Sequence, residues 1–294
     1  MQQHLSEKTV GKKTFFKLFA KRFIGGETLP EAIETLKRLK QEGFLTTLDF
    51  LGESNHREEE AFAATKEYIE NLHALKQHGL DRNISIKLTQ IGLDINEDLT
   101  RGNLLKILQV ASMMQGFVRV DMEGSACTAQ TLKLTAEVHK EFSHVGVVLQ
   151  SMLRRTPEDV VWMLKEKIGI RLVKGAYKEP LSIAFQDKRE VNQQYVALMK
   201  RLLTSGVYHA MATHDEAAIR EATLFIEKEK IAKDSFEFQM LLGIRTRFAK
   251  ELVKQGYRVR IYVPYGKAWL PYMTRRLRER KENIWFVIKN IFRG

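Results

Sequence analysis

Short apolar runs alternate with longer amphipathic segments along almost the whole chain. The short runs have strand length and are bounded by turn residues, whereas the longer segments repeat their apolar residues at helical spacing. The predicted strands lie at residues 44–51, 83–88, 117–122, 145–149, 170–173, 209–212, 235–239 and 259–263. The helices predicted to follow them lie at residues 58–77, 104–114, 128–140, 156–167, 188–203, 215–229, 243–254 and after Gly266. Eight strand–helix units in succession predict an α/β fold of the (β/α)8 TIM-barrel type.

Individual residues set the boundaries of several of these elements. Thr128 is a plausible cap for the helix at residues 128–140, and Asp215 is a plausible cap for the helix at residues 215–229. Pro264 is predicted to end the eighth strand, because a proline has no N–H to give to the sheet. A doubly wound sheet is the alternative fold, but it would be expected to carry a Gly-x-Gly-x-x-Gly turn after an early strand, and the sequence contains none.

Two helices are predicted ahead of the first strand. Residues 30–41 begin with a proline and repeat apolar residues on one face, and residues 12–24 carry four phenylalanines on one side and lysines elsewhere. The favoured interpretation is that residues 12–24 dock on the domain, and contact with a membrane surface also fits the pattern. Lys17 and Lys21 interrupt the apolar run, so a signal peptide is not expected. The predicted division is an N-terminal helical segment at residues 1–43 and a barrel domain at residues 44–294.

Composition narrows the classes of partner. The chain has 294 residues and a formal charge of +12, which favours anionic partners such as nucleic acid, an acidic membrane surface or a phosphorylated cofactor. No zinc-finger spacing, aromatic RNA-binding signature or long basic tract supports nucleic acid, so no nucleic-acid partner is predicted. The single cysteine, Cys127, fits a reducing compartment, and no apolar run approaches the length of a membrane span. A cytoplasmic location is predicted, with peripheral contact at the inner face of the membrane as a hypothesis.

Polar residues stand at the carboxyl end of most predicted strands, where the active sites of barrels lie. Each of them alone has an ordinary structural explanation; Asp121, for example, could pair with Arg119 or Arg171. Their joint occurrence on one face favours function. The residues are Lys87, Asp121, Gln150, Arg171, Lys174, Gly175, Ala176, Tyr177, Thr213, His214, Asp215, Gln239, Tyr262 and Tyr265.

The segment after the eighth strand offers a second candidate group. On a helix, Tyr272, Arg275, Arg276 and Glu279 share one face. Two adjacent arginines on such a face suit a carboxylate, which each guanidinium can contact through two hydrogen bonds. Taken alone, the same spacing favours a solvated basic surface.

Among metal binding, acyl transfer and cofactor binding, the sequence fits a cationic cofactor site best. The sequence has no His-x-x-His or cysteine cluster, so no metal site is predicted. His214 has no adjacent nucleophile, which makes acyl transfer unconvincing. A cationic mouth that includes a Lys-Gly turn suits a phosphorylated cofactor together with an anionic substrate.

Several of these segments, taken in order, resemble the monofunctional proline dehydrogenases, which are flavin-dependent enzymes of proline catabolism. The matching segments are residues 85–92 (SIKLTQIG), 120–123 (VDME), 149–150 (LQ), 171–177 (RLVKGAY), 212–215 (ATHD), 236–241 (FEFQML) and 262–279. The resemblance runs from about Lys87 to Glu279, and it implies a distorted (β/α)8 barrel.

The resemblance also implies how a substrate is bound. Lys87, Arg275 and Arg276 are expected to clamp the proline carboxylate, and Tyr262 to form a wall of the pocket. Asp121 is expected to be an active-site carboxylate that supports Lys87 and the arginines. Glu279 is expected to hold the paired arginines in place.

A flavin, FAD, is the cofactor that the resemblance implies. Arg171 is expected beside its reactive nitrogen, and Tyr177 against its ring system or pocket. The other expected cofactor-binding residues are Met122, Gln150, Lys174, Gly175, Ala176, Thr213 and His214. The implied reaction oxidises L-proline to 1-pyrroline-5-carboxylate and passes electrons to a membrane quinone, and the product could pass to a separate 1-pyrroline-5-carboxylate dehydrogenase.

The sequence departs from the family pattern at a few positions. Leu270 stands where an aromatic residue is usual, Leu242 stands where a tyrosine is usual, and residues after the paired arginines also differ. These positions leave the preference between proline and hydroxyproline open. A non-catalytic barrel that binds a phosphorylated metabolite at its cationic mouth is the rival hypothesis.

Overall fold

The computed structural model describes residues 22–52, 54–270 and 272 as a closed barrel of eight parallel strands. The strands are β1 (Leu45–Phe50), β2 (Asn83–Ile86), β3 (Phe117–Val120), β4 (Val145–Gln150), β5 (Gly169–Val173), β6 (His209–Ala212), β7 (Phe236–Leu241) and β8 (Val259–Tyr265). Each strand pairs with its neighbours in the sequence, and β8 closes the barrel by pairing with β1 from Leu45 opposite Arg260 to Phe50 opposite Tyr265. The predicted (β/α)8 fold is therefore confirmed.

Helices cover the outside of this barrel. They are α1 (Leu29–Gln41), α2 (Glu58–Gln77), α3 (Glu97–Met113), α4 (Ser125–His139), α5 (Thr156–Lys165), α6 (Lys188–Leu203), α7 (Glu216–Lys228) and α8 (Thr246–Lys254). Their buried faces pack on the strands in one continuous core, in which Leu36, Leu72 and Leu108 are fully buried. The predicted helices at 58–77 and 188–203 match α2 and α6 residue for residue.

The helix α1 precedes the first strand, as its proline and apolar spacing predict. A capping box fixes its start, because the Glu31 carboxylate accepts the backbone N–H groups of Glu27 and Thr28 at 2.7 and 3.2 Å. The helix predicted at residues 12–24 lies outside the described residues except for residues 22–24, which belong to a turn. The domain boundary at residues 43 and 44 stays a prediction.

Two helix starts differ from the prediction. The helix α3 begins at Glu97, seven residues before the predicted residue 104, because the Asn96 side chain accepts the N–H groups of Asp98 and Leu99. This cap and the acidic first turn outweigh the cost of about 1 kcal/mol for Gly102 inside the helix. Thr128 is not a cap: α4 begins at Ser125, and Thr128 is buried inside it.

Two further boundaries near the end of the chain were predicted wrongly. The strand β8 continues through Pro264 to Tyr265, because the carbonyl groups of these residues accept the N–H groups of Gly25 and Leu51. A proline is tolerated here because it still supplies an acceptor. The helix α8 begins at Thr246 and not at residue 243, since Arg245 has a left-handed backbone (φ +48°) that a helix cannot contain.

The lower part of the barrel interior is filled by ionic side chains. Arg260 donates from Nε to Glu237 Oε1 at 2.8 Å, and both residues are buried. Arg119 donates to the carbonyl oxygen of Gly169 at 2.5 Å, and its guanidinium carbon lies 4.7 Å from the centroid of the Phe117 ring. These contacts make the barrel a packed core, so a ligand site has to be sought at the mouth.

Protonation of buried His209 is expected to destabilise the fold in acid. Its Nδ1 accepts the Ile170 N–H at 2.9 Å, and burial followed by the charge of Arg119 lowers the pKa of His209 to about 3. The neutral ring therefore contributes stability that is complete above the unfolded-state pKa of about 6.5 and is lost as the pH falls towards 3. Urea unfolding of the wild type should show a slope of up to about 1.4 kcal/mol per pH unit from this group.

The variant His209→Asn provides the comparison, because the asparagine oxygen can replace Nδ1 as an acceptor and does not titrate. The difference in unfolding free energy between the two proteins should shrink as the pH falls from 7 to 4. A difference that stays constant with pH would contradict this assignment.

Candidate active site

The first two strands bring a buried ion pair to the barrel mouth. Lys87 directly follows β2, and its Nζ donates to Asp49 Oδ1 at 2.6 Å. Burial acts to lower the pKa of Lys87, but the charges of Asp49 and Asp121 and the hydrogen bond to Asp49 raise it, so the ammonium is held protonated. Asp121 was expected to support Lys87. The structure gives the direct contact to Asp49, and Asp121 acts on Lys87 only through its charge.

A second ion pair lies beside the first. Arg171 on β5 donates to Asp121 Oδ1 at 2.7 Å and to Ser85 Oγ at 3.0 Å. Tyr262 on β8 donates its hydroxyl to the other oxygen of Asp121 at 2.8 Å, and the Arg171 guanidinium carbon lies 5.3 Å from the Tyr262 ring centroid. Burial and the charges of Asp121 and Asp49 raise the pKa of Tyr262 well above its usual range, so the phenol stays a neutral donor.

The glycine turn after β5 provides the third cation of the mouth. Lys174 Nζ donates to Asn192 Oδ1 and to Asp215 Oδ2, both at 2.6 Å. Burial acts to raise the pKa of Asp215, but the hydrogen bond and charge of Lys174 lower it. Gly175 has φ +110° and lies so close to Met152 that a side chain would collide with it. A residue with a side chain would be strained at this position, so the turn requires glycine.

Charges cancel at the described part of the mouth. Lys87, Arg171 and Lys174 each have a carboxylate partner among residues 22–52, 54–270 and 272. An anionic ligand therefore finds oriented donors at these positions but no excess positive charge. Any net attraction for a carboxylate has to come from elsewhere in the chain.

Polar contacts on the rim place several of the other candidate residues. Gln150 is buried at the end of β4, and its amide donates to the Glu123 carbonyl oxygen at 3.0 Å. Met122, which precedes Glu123 in the loop after β3, is also buried. The Glu123 carboxylate in turn accepts the hydroxyl of Thr89 at 2.5 Å. The loops after β2, β3 and β4 are thus joined around Gln150.

The β6 loop carries two more predicted residues. The Thr213 hydroxyl accepts the Asp215 N–H at 3.1 Å, and His214 Nε2 accepts the Leu241 N–H at 2.9 Å. Asp215 also accepts the Ala217 N–H at 3.0 Å, which confirms its predicted role as the cap of α7. His214 is therefore held as an acceptor toward β7, with its Nε2 unprotonated.

Two residues of the predicted set lie toward the outer edge of the mouth. Ala176 is exposed, and Tyr177 is half-buried against a small cluster formed by Met152, Leu153 and Ala184. The structure thus places Tyr177 beside the β4 loop. Its expected contact with a flavin stays a prediction.

The predicted carboxylate clamp lies at the edge of the described chain. Arg275, Arg276 and Glu279 are outside the described residues. The segment that leads to them is anchored: Tyr272 is buried with Ile24 and Leu51, and Trp269 Nε1 donates to Glu27 Oε1 at 3.2 Å.

Asp49 is the main residue that the sequence analysis missed. Asp49 falls inside the first predicted strand, where the hydrophobic pattern alone does not say whether a polar side chain faces the barrel interior or the helices. Alternation along a strand puts Thr47 and Asp49 on one side, and Thr47 Oγ1 lies 3.2 Å from Ser85 Oγ. The inward-facing acid near the end of β1 was therefore a detectable signal.

Removing one charge of the buried Asp49–Lys87 pair is expected to destabilise the protein strongly. Asp49→Asn leaves a buried ammonium without a counter-ion, and its cost should be about 3–5 kcal/mol in the free energy of unfolding. The double variant Asp49→Asn with Lys87→Met removes both charges and should recover a large part of that loss. Urea unfolding of the two variants checks this; a double variant less stable than Asp49→Asn would contradict the pairing.

The described residues contain no group of three or more histidine, cysteine, aspartate or glutamate side chains that could hold a metal ion. Within the same part of the chain, none of the helices has both the length and the apolar character needed to cross a membrane.

Comparison with known proteins adds independent information. The profile of the family described as Proline dehydrogenase matches residues 32–289. Over 277 residues the chain is 43% identical to proline dehydrogenase 1 of Bacillus subtilis subsp. natto, which covers 94% of this chain and 92% of that protein. It is 38% identical over 280 residues to the proline dehydrogenase of Deinococcus radiodurans, covering 94% of this chain and 90% of that protein.

Solved structures with the same fold come from much longer chains. The crystal structure of proline utilization A (PutA) from Bdellovibrio bacteriovorus, inactivated by N-propargylglycine, superposes with a TM-score of 0.86 and 28% identity. The match covers 91% of this chain and 33% of that one. A Bradyrhizobium japonicum PutA variant, at a TM-score of 0.76 and 21% identity, shares the fold and covers 91% of this chain and 31% of its own.

Proposed function

Because this chain belongs to the proline dehydrogenase family, we propose that it oxidises L-proline to 1-pyrroline-5-carboxylate with FAD as its cofactor and a membrane quinone as electron acceptor. The observation that carries the proposal is the pair of ionic contacts at the mouth. Lys87–Asp49 and Arg171–Asp121–Tyr262 form one buried group beside the glycine turn at Gly175. A substrate amino acid and a flat cofactor both need oriented donors of this kind.

The substrate carboxylate would be held by Lys87, Arg275 and Arg276. Charges within the described mouth cancel, so the two arginines would supply the excess positive charge that a carboxylate needs. The Tyr262 ring, fixed by its hydrogen bond to Asp121, would form a wall against the apolar ring of proline. Glu279 would restrain the arginines through i, i+3 and i, i+4 contacts.

The residues present fit a flavin nucleotide. The tight turn at Gly175, where a side chain would collide with Met152, would let a flat or phosphorylated group approach the backbone closely. The strand ends near this turn also offer two cations, Arg171 and Lys174, and the side-chain amide of Gln150. The complete proposed set is Met122, Gln150, Arg171, Lys174, Gly175, Ala176, Thr213 and His214, with Tyr177 as a support.

Oxidation of proline removes a hydride from the ring carbon next to nitrogen and a proton from the nitrogen. The bound cofactor would supply the acceptor for the hydride. The chain's own residues align the substrate and set the local field: Arg171 places a fixed positive charge near the reacting atoms, and Asp121 balances it. Tyr262 remains protonated because its pKa is raised, so it donates to Asp121 throughout.

Support for a membrane quinone comes from the two ends of the chain. Residues 1–21 carry a formal charge of +4 and residues 273–294 one of +5, out of +12 for the whole chain. Both segments also contain aromatic residues, among them Phe15, Phe19, Trp285 and Phe286. Basic, aromatic-rich segments of this kind favour peripheral contact with an anionic membrane surface, where a quinone would be reached.

Flavin identity and acceptor use test this proposal together. The released cofactor of the purified protein should have the mass of FAD, and L-proline should drive reduction of a water-soluble quinone. Comparison of L-proline with hydroxyproline in the same assay decides the substrate preference. A protein that retains no flavin and reduces no quinone would favour the rival hypothesis of a non-catalytic anion-binding barrel.

A further inference from the structure

The loop after β5 carries the glycine turn and also contacts the start of α4. Its residues 174–187 leave the barrel mouth, contact the loop after β3, two strands away, and return to α6. Its point of contact is Glu179, whose carboxylate accepts the Ser125 N–H at 2.7 Å and the Ser125 hydroxyl at 2.5 Å. These two bonds join parts of the chain that are 54 residues apart.

The contact completes a helix that cannot cap itself. Ser125 is the first residue of α4, and the N-cap position before it is Gly124, which has no side chain to offer. A carboxylate at a helix N-terminus satisfies free N–H groups and interacts favourably with the helix dipole. Glu179 thus supplies from the β5 loop what α4 lacks locally.

The path of this loop follows from the order of the strands. The strands β3, β4 and β5 are neighbours in the barrel, so a chain running from Lys174 to Glu179 passes over the end of β4. Gln150 is the last residue of β4 and donates to the Glu123 carbonyl, directly before Gly124 and Ser125. The segment from 174 to 179, which we name the strap, therefore spans the rim between the third and the fifth strands.

The two ends of the strap are held in different ways. At its start, Lys174 is bonded to Asn192 and Asp215, and Gly175 packs on Met152. Beyond it, the returning chain is tied to the β4 loop by the Leu153–Ala184 bridge and by the Phe185 N–H donating to the Met152 carbonyl. The Glu179–Ser125 bonds fasten the far end of the strap itself to the opposite side of the β4 end.

From this geometry we infer that Glu179 is a positioning residue that fastens the strap across the cofactor cleft and slows release of the flavin. The inference rests on the proposed flavin function. Gln150 at the end of β4 lies along the path of the strap, and the turn at Lys174, Gly175 and Ala176 is part of it. Loss of the Glu179 contact frees the exposed Ala176 end of the turn while Lys174 stays anchored by Asp215.

A matched pair of variants tests the strap. Glu179→Ala removes a helix cap that comes from another loop, and Asp187→Ala removes a helix cap in the same loop that acts locally, on the Arg189 N–H of α6. Flavin release is followed by its fluorescence after dilution. Release from Glu179→Ala should be roughly 10- to 100-fold faster than from the wild type, the range for losing a charge-assisted hydrogen bond. Release from Asp187→Ala should match the wild type, and equal rates for the two variants would overturn the inference.

A second measurement does not depend on the flavin. Amide hydrogen exchange of residues 176–182 in the cofactor-free proteins should be faster in Glu179→Ala than in Asp187→Ala. If the wild type holds no flavin, the proposed function fails, and unchanged exchange in Glu179→Ala would separately refute the strap. Ser125→Ala keeps the backbone bond and loses the hydroxyl bond, so it should give intermediate release and exchange, and it replaces Glu179→Ala if that variant does not fold.

Discussion

Replacing Arg171 by methionine is expected to lower both the activity and the stability of the enzyme. Arg171 is 4% exposed and its guanidinium donates to Asp121 and Ser85, so its loss leaves the largely buried Asp121 carboxylate with the Tyr262 hydroxyl as its side-chain donor among the described residues. Breaking such a pair costs about 3–5 kcal/mol in the free energy of unfolding. Loss of a fixed charge near the reacting atoms should lower kcat/KM for L-proline by about 10²–10³-fold. Urea unfolding and steady-state kinetics of Arg171→Met measure the two effects.

Arg260→Met is the matched control for this variant. Arg260 is also a buried arginine on a barrel strand with a carboxylate partner, Glu237, but it lies toward the opposite end of the barrel. Its replacement should cost stability of a similar size and leave kcat/KM within a few-fold of the wild type at a temperature where both proteins are folded. Equal losses of activity in the two variants would show that Arg171 acts only through stability.

Replacing either Arg275 or Arg276 by methionine should raise the KM for L-proline strongly and leave the flavin bound. The described cations of the mouth are each paired with a carboxylate, so under the proposed function the two arginines would carry the net charge that attracts the substrate. Removing one partner of a buried charge pair costs about 2–5 kcal/mol, which corresponds to a rise of roughly 30- to 5,000-fold. Flavin content and proline saturation curves of each variant give the answer.

Arg278→Met, in the same segment but off the face predicted to hold Tyr272, Arg275, Arg276 and Glu279, should change the KM by less than about threefold. An unchanged KM in Arg275→Met and Arg276→Met would return the segment to a solvated basic surface.

The barrel could be predicted from the sequence because two patterns can be read without knowledge of tertiary contacts: short apolar runs of strand length, and the helical spacing of apolar residues between them. The eight strands and the helices after the first seven follow from spacing alone, and most boundaries fall within a few residues; the helix predicted after Gly266 lies largely outside the described residues. The larger errors arose where a local contact decided the boundary. Asn96 caps α3 seven residues before the predicted start, and the carbonyl groups of Pro264 and Tyr265 extend β8.

The site was predicted mainly as a set of positions: for Asp121 the sequence leaves Arg119 and Arg171 open as partners, and the structure pairs it with Arg171. The ends of parallel strands converge, so Lys87, Asp121 and Arg171 could be expected to meet. The carboxylate with which each cation pairs depends on the register of neighbouring strands. Asp49 stands opposite Ser85, which lies two residues before Lys87. The sequence order gave no such information, nor did it link Glu179 to a helix that begins 54 residues earlier.

The central claim is that one barrel mouth holds L-proline and a flavin in contact. Anaerobic titration of the purified protein with L-proline, followed through the absorbance of the oxidised flavin, tests it most directly. The account predicts that L-proline abolishes this absorbance and that one equivalent of 1-pyrroline-5-carboxylate forms for each flavin reduced. Addition of a quinone should then restore the absorbance of the oxidised flavin. A flavin absorbance that saturating L-proline leaves unchanged would contradict the account.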